Sequence, residues 1–201
     1  MRDPDRAREV APKDGWLGRR LTYEDYCRMP AGERYELVEG ELRVVPSPTV
    51  FHQELSKRLQ FLLIRWVEER HLGKVYNAPI DVLLSEHNVV QPDLLCVLRE
   101  KLEIIRKANI QGAPDLVVEI LSPSTEEWDR VTKRQVYAKF GVRELWFVDP
   151  AGRSVEVACL TVGDLRTVQT FAAGTTLTTP LLPGFVVDID ELFREDDFTL
   201  T

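Results

Sequence analysis

A chain of 201 residues that is 44% hydrophobic can bury one substantial core and is too short for two, so a single domain is expected. Its net charge of −7 argues against a protein that coats nucleic acid through many Lys and Arg contacts to phosphate, and no run approaches the roughly 18 to 20 apolar residues that a membrane-spanning helix needs. Three cysteines without a CxxC pair suggest neither a disulfide framework nor a zinc knuckle.

Residues 1–20 are dominated by charge and proline, lack the apolar centre of a secretory signal, and are expected to form a flexible leader on a cytoplasmic protein. The ordered domain is expected to span 21–195, with a short tail at 196–201. Thr22 followed by Glu24 and Asp25 predicts a short helix. RYELVEGELRVVP then reads as a tight hairpin turning at Glu39-Gly40, ended by Pro46 and Pro48. From His52 to about Arg70, Leu55, Leu59, Leu62, Leu63, Trp66 and Val67 recur at spacings of three and four, the pattern of an amphipathic helix.

PIDVLL (79–84) and VVQPDLLCVL (89–98) flank the turn EHN and read as two paired strands, followed by a short helix in KLEIIRK. DLVVEIL (115–121) is apolar on both faces apart from its acids, as a central strand covered on both sides should be. SPST can cap the next helix through Ser124 or Thr125, and that helix runs to about Phe140 with Gly141 as its stop. It carries the basic residues Arg130, Lys133, Arg134 and Lys139, with Arg143 just beyond. ELWFVD (144–149) is a further strand. After Pro150, SVEVACL and LRTVQTF predict a hairpin, and LLPGFVVDIDELF a closing segment packed on the core.

Glu119 is the most informative residue, because a carboxylate inside an apolar strand costs several kcal/mol unless it is paired, protonated or bound to metal. A salt bridge or a place at the open end of the sheet would explain it equally well. Asp93 repeats the puzzle between Pro92 and Leu94-Leu95-Cys96, where a strand edge would account for it. Two such acids on neighbouring strands suit a hard cation such as Mg²⁺, which often takes only one or two carboxylates from a protein. At 100° per residue, Lys133 shares a helix side with Asp129, Val136, Tyr137 and Phe140, so its amine can return toward the sheet; a solvated charge is the plainer alternative, and Lys139 is a competitor.

An Asp after Pro, a later strand Glu and a nearby Lys resemble the PD-(D/E)xK nuclease superfamily. In order and wording, ERYELVEGEL, PSPTVFHQ, VVQPDLLCV, PDLVVEILSPST, DRVTKRQVYAKFGVRELWFVDP and LLPGF resemble the Uma-two family of restriction-endonuclease-like proteins over about residues 21–193. The resemblance implies an α/β (α+β) fold, a restriction-endonuclease-like mixed sheet flanked by helices with additional hairpins. It implies a Mg²⁺-dependent endonuclease, with Mn²⁺ as substitute, hydrolysing nucleic-acid phosphodiesters, DNA foremost, and acting as a homodimer.

By that resemblance Asp93, Glu119 and the backbone carbonyl of Ile120 hold the metal. Lys133 takes the place of the motif lysine, since Leu121 stands at the third position of ExK, and its pKa is expected to fall on burial beside the metal. Pro114-Asp115 is a second PD too close to Glu119 to be its partner. Glu39 and His52 match further positions of the resembling strings, although an exposed turn acid and a capping or packing histidine are plainer readings. Rival functions are a catalytically inactive nuclease-fold binding or assembly module and a metal-dependent phosphoesterase for smaller substrates. No GxSxG, GxxxxGK[ST] or HExxH motif occurs.

Overall fold

The computed structural model describes residues 19–30 and 32–194, so the expected tail and all of the leader except Arg19 and Arg20 lie outside the described residues. In chain order the elements are α1 (Tyr23–Tyr26), β1 (Arg34–Val38), β2 (Glu41–Val45), α2 (Val50–Val67), β3 (Gly73–Asn77), β4 (Val82–Ser85), β5 (Asn88–Val90), β6 (Leu94–Leu98), β7 (Ile110–Gln111) and β8 (Leu116–Ile120). A π-helical turn (Trp128–Lys133) leads into α3 (Arg134–Phe140), followed by β9 (Glu144–Asp149), β10 (Ser154–Leu160), β11 (Leu165–Phe171), β12 (Thr176–Thr178), β13 (Val186–Asp188) and α4 (Ile189–Leu192).

The larger sheet has the order β11-β10-β9-β8-β6-β3, antiparallel except between β8 and β9. A second sheet runs β2-β1-β5-β4-β7, and β12 pairs with β13. The fold is thus a mixed α+β architecture, as expected. One face of the large sheet is covered by α2, whose Leu55, Leu59, Leu63 and Val67 pack on Leu94, Cys96, Leu116, Val118 and Trp146. Each such side chain contributes about 1.5–3 kcal/mol by leaving water. The other face meets α3 and the second sheet, whose Val38, Val82, Val90 and Ile110 share a core with Val117, Leu145, Phe147 and Val136.

Local chemistry places most of these elements where the sequence reads them. Thr22 and Asp25 form a reciprocal capping box on α1, the hairpin turns at Glu39 and Gly40, both with positive φ, and Gly141 ends α3 in the left-handed region. One expectation is corrected. Residues 89–98 are not a single strand beside β4: β5 pairs with β4 and β1, whereas β6 crosses into the large sheet between β3 and β8. Pro92, with no N–H to give a ladder, lies at the break. The expected helix after SPST is also interrupted, its first full turns being π rather than α.

Candidate active site

The crossover at Pro92 sets the first acid. Leu94 pairs with Val118 in the antiparallel β6–β8 register, so Asp93 stands one step beyond the ladder, across from Glu119. Side chains alternate along a strand. Leu95 and Val97 on β6, Val117 on β8 and Leu121 just after it all face α3. Asp93 and Glu119 therefore leave the sheet on that same face. Oδ2 of Asp93 accepts a hydrogen bond from the Ile120 N–H at 2.8 Å. In an extended strand the N–H and C=O of one residue leave on the same side, so the Ile120 carbonyl is directed toward Asp93 as well.

Glu119 is 3% exposed. Its Oε1 accepts from the Tyr137 hydroxyl at 2.5 Å and lies 2.7 Å from Lys133 Nζ. Lys133, also 3% exposed, reaches Glu36 Oε1 at 3.1 Å and Asp129 Oδ1 at 3.4 Å. Three carboxylates thus surround one ammonium group, with Asp93 beside them, so the charge of the cluster is far from balanced if all ionise. Burial pushes the Glu119 carboxyl up to about 8 against the opposing pull of Lys133, with Asp129, Asp93 and Glu36 adding to the rise. Asp129 is raised for the same leading reason. Burial alone would lower Lys133, but the carboxylates of Glu119 and Glu36 outweigh it and hold the amine well above its ordinary value. Among these groups the carboxylates, and not burial, thus set the direction for Lys133.

His52 comes from the first turn of α2, where Thr49 Oγ1 caps its backbone N–H at 3.2 Å. Its Nε2 is 3.2 Å from Asp93 Oδ2, and its Nδ1 is buried with no hydrogen-bond partner among the described residues. These groups line a cleft of about 170 Å³ between the β1–β2 hairpin, the Pro46–Thr49 segment and the turn after β8.

The structure therefore brings together Asp93, Glu119, Ile120, Lys133 and His52. It does not bring Glu39. That residue sits at the hairpin turn with φ of 51°, its side chain 42% exposed, paired with Arg20 at 3.1 Å and Lys139 at 2.9 Å. The hydrogen bond from Lys139 leads in lowering its pKa. The same contact takes Lys139 away from the site and leaves Lys133 as the lysine there. Asp115 is buried at the other end of β8, bound to the Leu98 N–H at 2.8 Å, Arg143 at 3.3 Å and Lys101 at 3.4 Å. Sequence reasoning missed Glu36 and did not assign Asp129 to the site. The signal for Glu36 was of the kind that singled out Glu119, a lone acid in the apolar stretch YELV.

Oxygen donors suit a hard divalent cation, and Asp93, Glu119 and the Ile120 carbonyl supply them in a cleft with surplus negative charge. Among the described residues no group of three or more His, Cys, Asp or Glu is arranged to cage a metal. Mg²⁺ does not require one, because it keeps several waters and uses one or two carboxylates. The donor set fits.

Residues 22–190 match the family described as "Uma2: Putative restriction endonuclease". A crystal structure described as "a putative nuclease belonging to DUF820", from Anabaena variabilis ATCC 29413, superposes with a TM-score of 0.73 at 19% identity, covering 86% of this chain and 97% of that one. That likeness shows the restriction-endonuclease-like fold. No curated protein matches the chain. Among the described residues no helix is long and apolar enough to cross a membrane.

Proposed function

The chain belongs to the Uma2 family, and on that premise we propose that it is a Mg²⁺-dependent nuclease that hydrolyses phosphodiester bonds of nucleic acid, DNA foremost. The observation that carries the reading is the convergence of Asp93, Glu119 and Lys133 on one face of the large sheet, with Lys133 Nζ 2.7 Å from Glu119. Asp93 and Glu119, with the Ile120 carbonyl, would hold the ion, for which Mn²⁺ can substitute. Bound there, a divalent cation polarises a phosphate and lowers the pKa of water.

The other roles fall to the chain's own groups. Lys133 carries a fixed positive charge to the floor of the cleft, where it can offset charge growing on a phosphate oxygen. Tyr137 and Glu36 hold that amine and Glu119 in register through their own hydrogen bonds. His52 orients Asp93, whose second contact, to the Ile120 N–H, ties the acid to β8.

Calorimetric titration with Mg²⁺ or Mn²⁺, followed by nicking of supercoiled DNA, tests the reading on the wild type and Glu119→Ala. Both metal binding and nicking are expected to vanish in the variant. Metal binding by the wild type without cleavage of any nucleic acid would sink the nuclease reading and favour the inactive module or the small-substrate phosphoesterase. The complete engagement of Lys133 by carboxylates is the feature that a purely structural role would also explain.

A further inference from the structure

Two arginines on the hairpin wall of the cleft have no part in the chemistry described above. Arg34 and Glu36 lie two residues apart on β1, and Glu36 is the register partner of Arg43 on β2, so all three side chains leave the hairpin on one face. That face lines the cleft. Glu36 gives its Oε1 to Lys133 and to the Gln91 N–H and is not paired with the arginine across from it.

Both arginines are half-buried, and among the described residues neither forms an ion pair. Elsewhere on this chain the half-buried Arg130 and Arg134 both close on Glu156. Arg34 and Arg43 are instead held by neutral groups. Arg34 Nε donates to Gln91 Oε1 at 3.0 Å, and Gln91 is itself fixed by donating to Asp81 at 2.7 Å. The Arg43 guanidinium lies over the Trp128 ring, 3.5 Å from its centroid. The indole Nε1, at the same cleft, is buried with no hydrogen-bond partner among the described residues. Stacking and a neutral amide fix a guanidinium's direction while leaving its charge uncompensated and its remaining N–H groups free for an anion.

We infer that Arg34 and Arg43 form a phosphate clamp that grips the backbone of a polynucleotide strand beside the reacting bond. The inference rests on the nuclease reading and narrows it. The arginines stand on the hairpin and the acids on the large sheet, so the two sets face the cleft from different walls, and the clamp is assigned to a phosphate neighbouring the reacting one. A substrate must then carry several phosphates along a chain, which favours a polynucleotide over a small phosphoester. Planar guanidinium suits the bidentate grip of a phosphate, and the shared backbone chemistry admits DNA and RNA.

The test measures anisotropy of a short labelled DNA oligonucleotide and its RNA counterpart over a salt series. Binding is compared in Glu119→Gln, which cannot cleave, and in the same background with Arg34→Gln and Arg43→Gln added. Nicking by the wild type and by the Arg34→Gln/Arg43→Gln variant is followed separately. The clamp predicts binding weakened about ten-fold or more, and a log–log salt slope shallower by about 0.7 per lost contact on a single strand. In the nicking assay it predicts a raised KM with kcat nearly kept. Unchanged affinity and slope in the double variant would overturn the clamp, and continued wild-type nicking would leave the nuclease reading standing. Absence of binding to both oligonucleotides would overturn it too. Arginine-dependent binding by a wild type that nicks nothing would uphold the clamp and remove the nuclease. Should the double variant fail to fold, Arg34→Gln and Arg43→Lys are read singly. The first is expected to lose one contact's share of the slope, and the second to keep its slope while losing affinity.

Discussion

Burial penalises the charge of Glu119 more than Lys133 relieves it and pushes the carboxyl up to about 8. Its ordinary value is 4.5. A carboxyl raised on folding binds its proton more tightly in the folded state. Its stabilising contribution is complete below the ordinary value and is lost as pH climbs through the raised one. In chelator, the stability of the wild type relative to Glu119→Gln should therefore fall between about pH 5 and about pH 8. Urea titrations at several pH values measure it; a flat difference would show Glu119 ionised throughout, with Lys133 as its partner. Asp129 is shifted in the same direction but is present in both proteins. Sequence reasoning named Asp93 and Glu119 because a charge among apolar neighbours is a local signal, and Lys133 from its side of the helix and the resemblance. It named Glu39 from the resembling strings and missed Glu36, since alternation in a hairpin gives no clue to which face a second sheet and a distant helix will cover. Asp129, four residues before Lys133, reads as an ordinary surface pair until the sheet buries it.

The elements that carry the site differ in how openly the chain announces them. α2 and β8 follow from periodicity and apolarity, and Gly141 from its place after Phe140. With φ of 87° and nothing near the position a Cβ would take, Gly141 is needed for its backbone alone. Gly141→Ala should cost about 1–2 kcal/mol for the left-handed conformation, visible as a lower urea midpoint with an unchanged slope. A change of a few tenths would mean that the helix end readily finds another conformation. Two features escape a residue-by-residue reading. The exchange of 89–98 between two sheets is signalled by Pro92, but which sheet takes each half depends on pairing far along the chain. The π turn has no propensity signature, and such wider turns often occur where function sets the geometry.

At the scale of the whole molecule, the two main sheets share one layer of core through Val38, Val82, Val90 and Ile110 on one side and Val117 and Phe147 on the other. Neither sheet can open without exposing the other's apolar face. Chemical unfolding followed by tryptophan fluorescence and by far-ultraviolet circular dichroism should therefore give coincident transitions; separated midpoints would show two units that melt independently. The individual strands and helices were legible from their patterns and the α+β class from the resemblance, whereas the strand order was not, because register across long connections is set by tertiary packing. The site has the same long-range character. Glu36 and Lys133, which touch in the folded chain, are 97 positions apart in sequence, and Asp93 and Glu119 lie between them. Contacts of such separation are slow to form. A nascent chain emerging from the ribosome holds Glu36 and Asp93 before it holds Glu119 and Lys133, so the proposed site is incomplete until synthesis has passed α3 and the polypeptide has closed on itself.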